Sequence, residues 1–140
     1  MSYEINDLYV GQSAEFTKTI SESDVYLFAG ITGDHNPMHV NDIYAKQSRF
    51  KGRICHGMLS SSLISTVIGT KLPGNGSIYV KQRLMFKAPV LFGDTITAKV
   101  EVDEIDLEKN RVQLRTYCVN QDGIVVTDGC ATVIPPKTKV

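Results

Sequence analysis

The second half of the chain carries a hydrophobic period of two. In residues 77–88, Ile78, Val80, Leu84, Phe86 and Ala88 alternate with Tyr79, Lys81, Arg83 and Lys87; in residues 95–102, Ile96, Ala98, Val100 and Val102 alternate with Thr97, Lys99 and Glu101. Alternation of this kind puts the apolar side chains on one face of a half-buried strand. Residues 111–119 and 124–134 predict two more strands, joined by Asn120, Gln121, Asp122 and Gly123, whose Asp-Gly pair suits a hairpin turn. The first half reads mainly helical. Residues 13–19 predict an early strand, which brings the total to at least five, and Ser21 predicts the N-cap of a helix over residues 22–29, where Val25, Phe28 and Ala29 cluster. Gly30, Gly33, Asn36 and Pro37 predict that this helix stops, that residues 31–40 form an irregular loop, and that a short helix follows over residues 42–47.

Residues 57–68 read Gly, Met, Leu, Ser, Ser, Ser, Leu, Ile, Ser, Thr, Val, Ile, with no charge on any face. Such a helix is expected to be buried all round. A small domain can cover it only with a layer that curls around it, and a strongly bent antiparallel sheet does this. The pattern therefore predicts an α+β fold in which an antiparallel sheet wraps a central helix.

Composition narrows the picture. At 140 residues the chain fits one domain, residues 1–140, because separate cores usually need about 100 to 200 residues each. Its 42% apolar and 21% charged residues exclude a disordered tail, a collagenous repeat and a coiled coil. Fifteen basic residues balance fifteen acidic ones, so no net field draws the chain to nucleic acid or an anionic membrane, and neither is expected as a partner. The longest stretch without Asp, Glu, Lys or Arg is residues 54–70, short of the roughly 20 apolar residues that span a bilayer. Residues 1–10 lack a basic segment followed by an apolar run, so no secretory signal is expected. Cys55, Cys118 and Cys130 are odd in number and widely spaced, which argues against a disulfide framework and predicts a reducing, cytoplasmic setting.

Candidate chemistry concentrates in Phe28-Ala-Gly-Ile-Thr-Gly-Asp34-His35-Asn36-Pro37-Met38-His39. Asp34 and His39 lie five apart across a proline that prevents a regular helix, so a loop can turn both into one pocket. A carboxylate and an imidazole in a partly desolvated site can hold and deprotonate a water. The same Asp, Asn, Gly and Pro are also ordinary turn formers. At Cys55-His56-Gly57-Met58 the uncharged helix begins, and the unpaired amides of Gly57 and Met58 at its positive end can polarise a carbonyl or hold an oxyanion. Alternatively, Gly57 makes room where helix and sheet meet.

His35, His39 and His56 show no metal-binding spacing, so no metal is expected. Cys55 reads either as a thiolate favoured by the helix end or as a small buried hydrophobe. Ser60, Ser61, Ser62 and Ser65 lack the GxSxG elbow and suit close packing, with Ser65 the one that can face a polar pocket. Gly74-Asn75-Gly76 is a turn, since no GK[ST] follows it.

At these residues the chain resembles the MaoC-like, (R)-specific enoyl-CoA hydratases of the hot-dog fold. The loop ending at His39 is similar to that family's motif, an aromatic followed by Gly-Asp-x-Asn-Pro-aliphatic-His. Arg53-Ile-Cys-His56-Gly57-Met58 is similar to the start of the family's central helix, and Gly76-Ser-Ile-Tyr79, Phe86-Lys-Ala-Pro89-Val and Gly93-Asp94 to its sheet. Met38 stands where a branched aliphatic is commoner, and His35 fills a variable position. The resemblance implies a homodimer that takes an acyl-CoA thioester near the subunit interface, without a metal or redox cofactor. It implies Asp34 and His39 as the catalytic pair, Gly57 as oxyanion donor, and a pocket whose depth depends on residues such as Ser65, Ile68 and Val133. A hot-dog acyl-CoA thioesterase and a noncatalytic acyl-CoA-binding scaffold are the competing readings.

Overall fold

The computed structural model describes residues 1–139. After a short turn of 3-10 helix at Ile5–Asp7, the chain runs β1 (Ser13–Thr19), α1 (Glu22–Thr32), α2 (Pro37–Val40), α3 (Asp42–Lys46), α4 (Gly57–Thr70), β2 (Ile78–Phe86), β3 (Thr95–Asp106), β4 (Arg111–Val119) and β5 (Val125–Ile134). The strands form one antiparallel sheet in the order β1-β3-β4-β5-β2. This is the hot-dog arrangement, with α4 lying against the inner face of the sheet.

The period of two explains the packing. Ile96, Ala98, Val100 and Val102 of β3 and Val112, Leu114 and Cys118 of β4 all point inward and are buried. They meet Leu63, Ile64, Val67 and Ile68 of α4 in the main core, where fully burying one such aliphatic side chain is worth about 1.5–3 kcal/mol.

Four expectations are corrected. First, α1 runs through Gly30 to Thr32, and the left-handed residue that ends it is Gly33, at φ 80°. A glycine inside a helix costs only about 1 kcal/mol, so Gly30 does not stop it. Second, the loop over residues 31–40 contains one regular turn, α2, because Pro37 occupies its first position, where a missing N–H does no harm. Third, β3 extends to Asp106, past a register shift between Val102 and Glu104 that breaks the alternation. Fourth, α4 is not buried all round: Met58, Ser62, Ser65 and Gly69 form an exposed stripe at helical spacing. Along β2 only Leu84 packs against the core among the aliphatic and Phe side chains, and Ile78, Val80, Met85 and Phe86 are all exposed along this sheet edge. Among the described residues, no helix is long and apolar enough to cross a membrane.

Candidate active site

The segment from Gly33 to Gly57 has only one isolated bridge, Ile54 to Leu91, and its backbone is met by short turns, by single bonds such as Cys55 N–H to the Val90 carbonyl, and by nearby side chains. The Thr32 hydroxyl accepts from the Asp34 N–H at 3.2 Å, the Asp34 carboxylate from the Asn36 N–H at 3.2 Å, and the Asn36 side chain from the Met38 N–H at 3.1 Å. These short local bonds are what Thr, Asp and Asn supply better than other residues. The last of them caps α2 and delivers His39 into the interior, 9% exposed. Arg53 anchors the segment from below. Its guanidinium bonds Glu22 at 2.7 Å and the Tyr26 hydroxyl at 2.6 Å on α1, and lies 4.8 Å from the centroid of the Phe92 ring.

Two imidazoles stack at the centre, His39 on His56, with centroids 3.8 Å apart and planes 28° from parallel. Each has one nitrogen on a backbone carbonyl: His39 Nδ1 on Ile54 at 2.7 Å and His56 Nε2 on Asp34 at 2.9 Å. A carbonyl only accepts, so the ring nitrogen carries the proton in both cases, and in the neutral tautomer this leaves His39 Nε2 and His56 Nδ1 as acceptors.

One candidate ligand atom from each of Asp34, His39 and His56 lies within 4.8 Å of the others. Two hydrogen bonds of about 2.8 Å at a tetrahedral angle span about 4.6 Å, so one water fits between the Asp34 carboxylate and His39. If both accept from that water, its two hydrogens are taken up and an oxygen lone pair is left facing outward. These are also the described residues with a donor set for a divalent cation.

Beside the pair lies a cavity of about 390 Å³ lined by His39, Phe50, Cys55, Gly57, Met58, Phe86 and Val90 among others, with Arg49 and Lys87 on its wall. α4 opens onto it. Its N-cap, His56, makes no side-chain capping bond, so helix geometry leaves the amides of Gly57 and Met58 to whatever occupies the cavity. A Cβ on Gly57 would stand 2.7 Å from Cδ1 of Phe86. Gly57 thus serves close packing and ligand approach together.

The structure brings Asp34 to His39, and His39 with Gly57 to the cavity, while Asp34 itself is exposed and does not line that cavity. Ser65 is not with them: it sits on the exposed stripe of α4, outside the cavity. Ile68 and Val133, expected to set pocket depth, belong to the closed core. Cys55 lines the cavity, yet burial pushes its thiol up to about 12, so it is the buried hydrophobe and not a thiolate. The residue that sequence reasoning passed over is His56. The sequence shows it beside Gly57 at the start of the uncharged helix and as one of three histidines without metal spacing, but gives it no role, because its partners lie 17 and 22 positions back along the chain.

The matched family model is described as a MaoC like domain and covers residues 7–122. An (R)-specific enoyl-CoA hydratase of Rhodospirillum rubrum is 57% identical over 130 residues, 93% of this chain and 90% of that protein. A 3-hydroxybutyryl-CoA dehydratase of Methylorubrum extorquens is 47% identical over 131 residues, 94% of this chain and 83% of that protein. Among solved structures, an unliganded R-hydratase of Pseudomonas aeruginosa has a TM-score of 0.92 at 47% identity, covering 98% of this chain and 88% of that one.

Proposed function

The chain belongs to the MaoC-like domain family, and from that premise we propose that it hydrates trans-2-enoyl-CoA to (R)-3-hydroxyacyl-CoA, and dehydrates the product in reverse, with Asp34 and His39 as its acid–base pair. It is an enzyme of the hydro-lyase class. The observation that carries the assignment of residues is the placement of an Asp34 carboxylate oxygen and a ring nitrogen of His39 within 4.8 Å of each other, with His39 lining the cavity onto which the uncapped start of α4 opens.

The chemistry follows from that placement. A water donating to the Asp34 carboxylate and to His39 Nε2 directs its free lone pair at C3 of the enoyl thioester. As the O–C3 bond forms, the pair takes the water's proton and the C2–C3 π electrons move toward the thioester oxygen. The Gly57 N–H meets that developing negative charge; one such donor is typically worth about 3 kcal/mol of barrier. Collapse of the enolate protonates C2 from the same pair and on the same face, so atoms and charge balance without electron transfer.

The reading includes a homodimer. β2 is a sheet edge whose outer backbone groups lack a strand neighbour, and it exposes Ile78, Val80, Met85 and Phe86. Proteins seldom leave such an edge open, and a second copy of the chain covers both it and the open stripe of α4. Sedimentation is expected to give a dimer at assay concentration; a fully active monomer overturns this part. The three cysteines are free, which fits the cytoplasmic setting proposed for the chain.

Incubation with crotonyl-CoA tests the activity. Loss of the conjugated enoyl absorbance without release of free thiol is expected, and an R-specific 3-hydroxyacyl-CoA dehydrogenase should oxidise the product where an S-specific one does not. Free CoA would make the protein a thioesterase, and an inert protein would leave the noncatalytic scaffold.

A further inference from the structure

His56 is 2% exposed, and its Nδ1 has no hydrogen-bond partner. An apolar ring of the same size would fill the space without leaving a buried acceptor unpaired, so packing alone does not account for an imidazole here. The contacts of the ring suggest what does. Its Nε2–H donates to the backbone carbonyl of Asp34 at 2.9 Å, and its face lies against His39 at 3.8 Å between centroids. Phe28 of α1 packs on the ring at 4.8 Å between centroids, tilted by 57°, so His56 is itself held in place. As the N-cap of α4, it is also the residue immediately before Gly57. One buried side chain therefore touches the backbone of the acid, the ring of the base and the start of the oxyanion helix.

We propose that His56 is a positioning residue for the Asp34–His39 pair: its Nε2–H fixes the Asp34 backbone, its ring face fixes the His39 imidazole, and together they keep the separation that one water spans. This rests on the reading of Asp34 and His39 as the groups that hold the water. His56 carries out no proton transfer with substrate in this scheme. Asp34 is exposed and sits on a loop, so without the bond from His56 its carbonyl has only solvent to hold it. The water site then widens, while the cavity that binds the thioester is left intact.

The test compares His56→Phe, which keeps a ring for stacking but loses the donor, with His56→Gln, which keeps an N–H donor but loses the ring. Asp34→Asn runs alongside. His56→Phe is expected to lower kcat on crotonyl-CoA by about tenfold or more, as displacement of a catalytic group does, with KM and melting temperature little changed. His56→Gln should recover part of that loss. Wild-type kcat in His56→Phe, or a loss that appears wholly in KM, overturns the proposal, and equal turnover in the Phe and Gln variants overturns the role given to Nε2–H. Should His56→Phe fail to fold, nitrogen-resolved NMR of the imidazoles in the wild-type protein decides: protons on His56 Nε2 and His39 Nδ1 support the arrangement, and either proton on the other nitrogen refutes it. An inactive Asp34→Asn beside a wild-type-like His56→Phe removes this inference alone, whereas an active Asp34→Asn removes the reading beneath it as well.

Discussion

The sheet and the segment from Gly33 to Gly57 solve the same backbone problem in opposite ways. In the sheet each strand meets its hydrogen-bonding needs through a neighbour, in a register that one repeating pattern specifies, and the inward side chains of β3 are closed off from solvent. In the segment, backbone groups are met one at a time, by short turns and single bonds such as Cys55 N–H to Val90, by Thr32, Asp34 and Asn36 side chains nearby, and by two histidines reaching carbonyls 15 and 22 positions away. A ladder spreads its stabilisation over many equivalent contacts and places no side chain with special accuracy. The segment uses a few polar contacts to place two side chains and contributes little apolar burial. Turnover and stability should therefore respond to substitutions in different places.

The largest effect expected is on turnover. Asp34→Asn and His39→Gln should each lower kcat by at least about a hundredfold, which is the usual contribution of a positioned acid or base. Both should leave the melting temperature almost unchanged, because neither side chain supports the core. Steady-state rates on crotonyl-CoA and a thermal melt check this together. Near wild-type turnover removes the pair from the mechanism, and a large fall in melting temperature makes Asp34 and His39 turn residues and nothing more.

The complementary substitution lies in the sheet. Leu114 is fully buried in β4, against α4 and β3, and Leu114→Ala should cost about 2–5 kcal/mol of stability through lost burial and the cavity left behind. Activity per folded molecule should persist. Urea unfolding measures the first and active-site-normalised turnover the second. If turnover falls in step with stability, sheet and segment are one unit and the contrast fails.

The same contrast explains what the sequence disclosed. Periodicity is a local signal that repeats, so β1 and β4 were legible to their end residues, and β5 to within one. The end of β3 was hidden because the bulge beyond Val102 shifts the alternation by one residue, and the charged tail then resembles a loop. The end of α1 was hidden because two glycines compete for the cap, and only the backbone angle at Gly33 decides between them. For α4, absence of charge predicts burial on every face. Ser62, Ser65 and Gly69 are polar or small without being charged, so composition could not separate the open stripe from the buried one, and Ser65 was placed toward a pocket it does not reach. The approach of Asp34 to His39 and the start of α4 at Gly57 were legible because the loop motif and the helix start are each contiguous in sequence. His56 was not, since its role consists of contacts that exist only after Gly33 to Gly57 has closed on itself.

Cysteine reactivity separates the two regions more finely. Cys55 lies on the cavity wall and Cys118 in the sheet, and burial pushes both thiols up to about 12. Cys130 is exposed on β5. Native protein treated with iodoacetamide at mildly alkaline pH should be alkylated at Cys130 and spared at Cys55 and Cys118, as read by peptide mass spectrometry. Alkylation at Cys55 under native conditions would mean that the cavity side opens on the timescale of the reaction, while protection of Cys118 alone would confine that motion to the site.

The smallest effect concerns the joint between the two regions, where β1 gives way to α1. Asp24 accepts from the Ser21 N–H at 2.9 Å and donates its own N–H to the Ser21 hydroxyl at 3.1 Å, a reciprocal cap, and Lys18 of β1 lies 3.1 Å from its carboxylate. The backbone bond from Ser21, more than the Lys18 charge, holds the Asp24 carboxyl below its ordinary value of 3.8. A group whose folded pKa is depressed contributes stability that is complete above the unfolded value and disappears as pH falls through the folded one. Between neutral pH and about pH 5 the joint should therefore be unaffected, and below about pH 3.8 it should weaken progressively. With the carboxylate partly exposed the contribution is at most about 1 kcal/mol, the range for a charge at a helix N-terminus. Urea unfolding of wild type and Asp24→Asn across this acid range should show the wild type losing stability more steeply, with the two curves converging at the lowest pH. Parallel curves would mean that the cap does not couple to protonation, and that α1, with Gly33 and Asp34 at its far end, is held by Val25 in the core and by the Arg53 bonds to Glu22 and Tyr26.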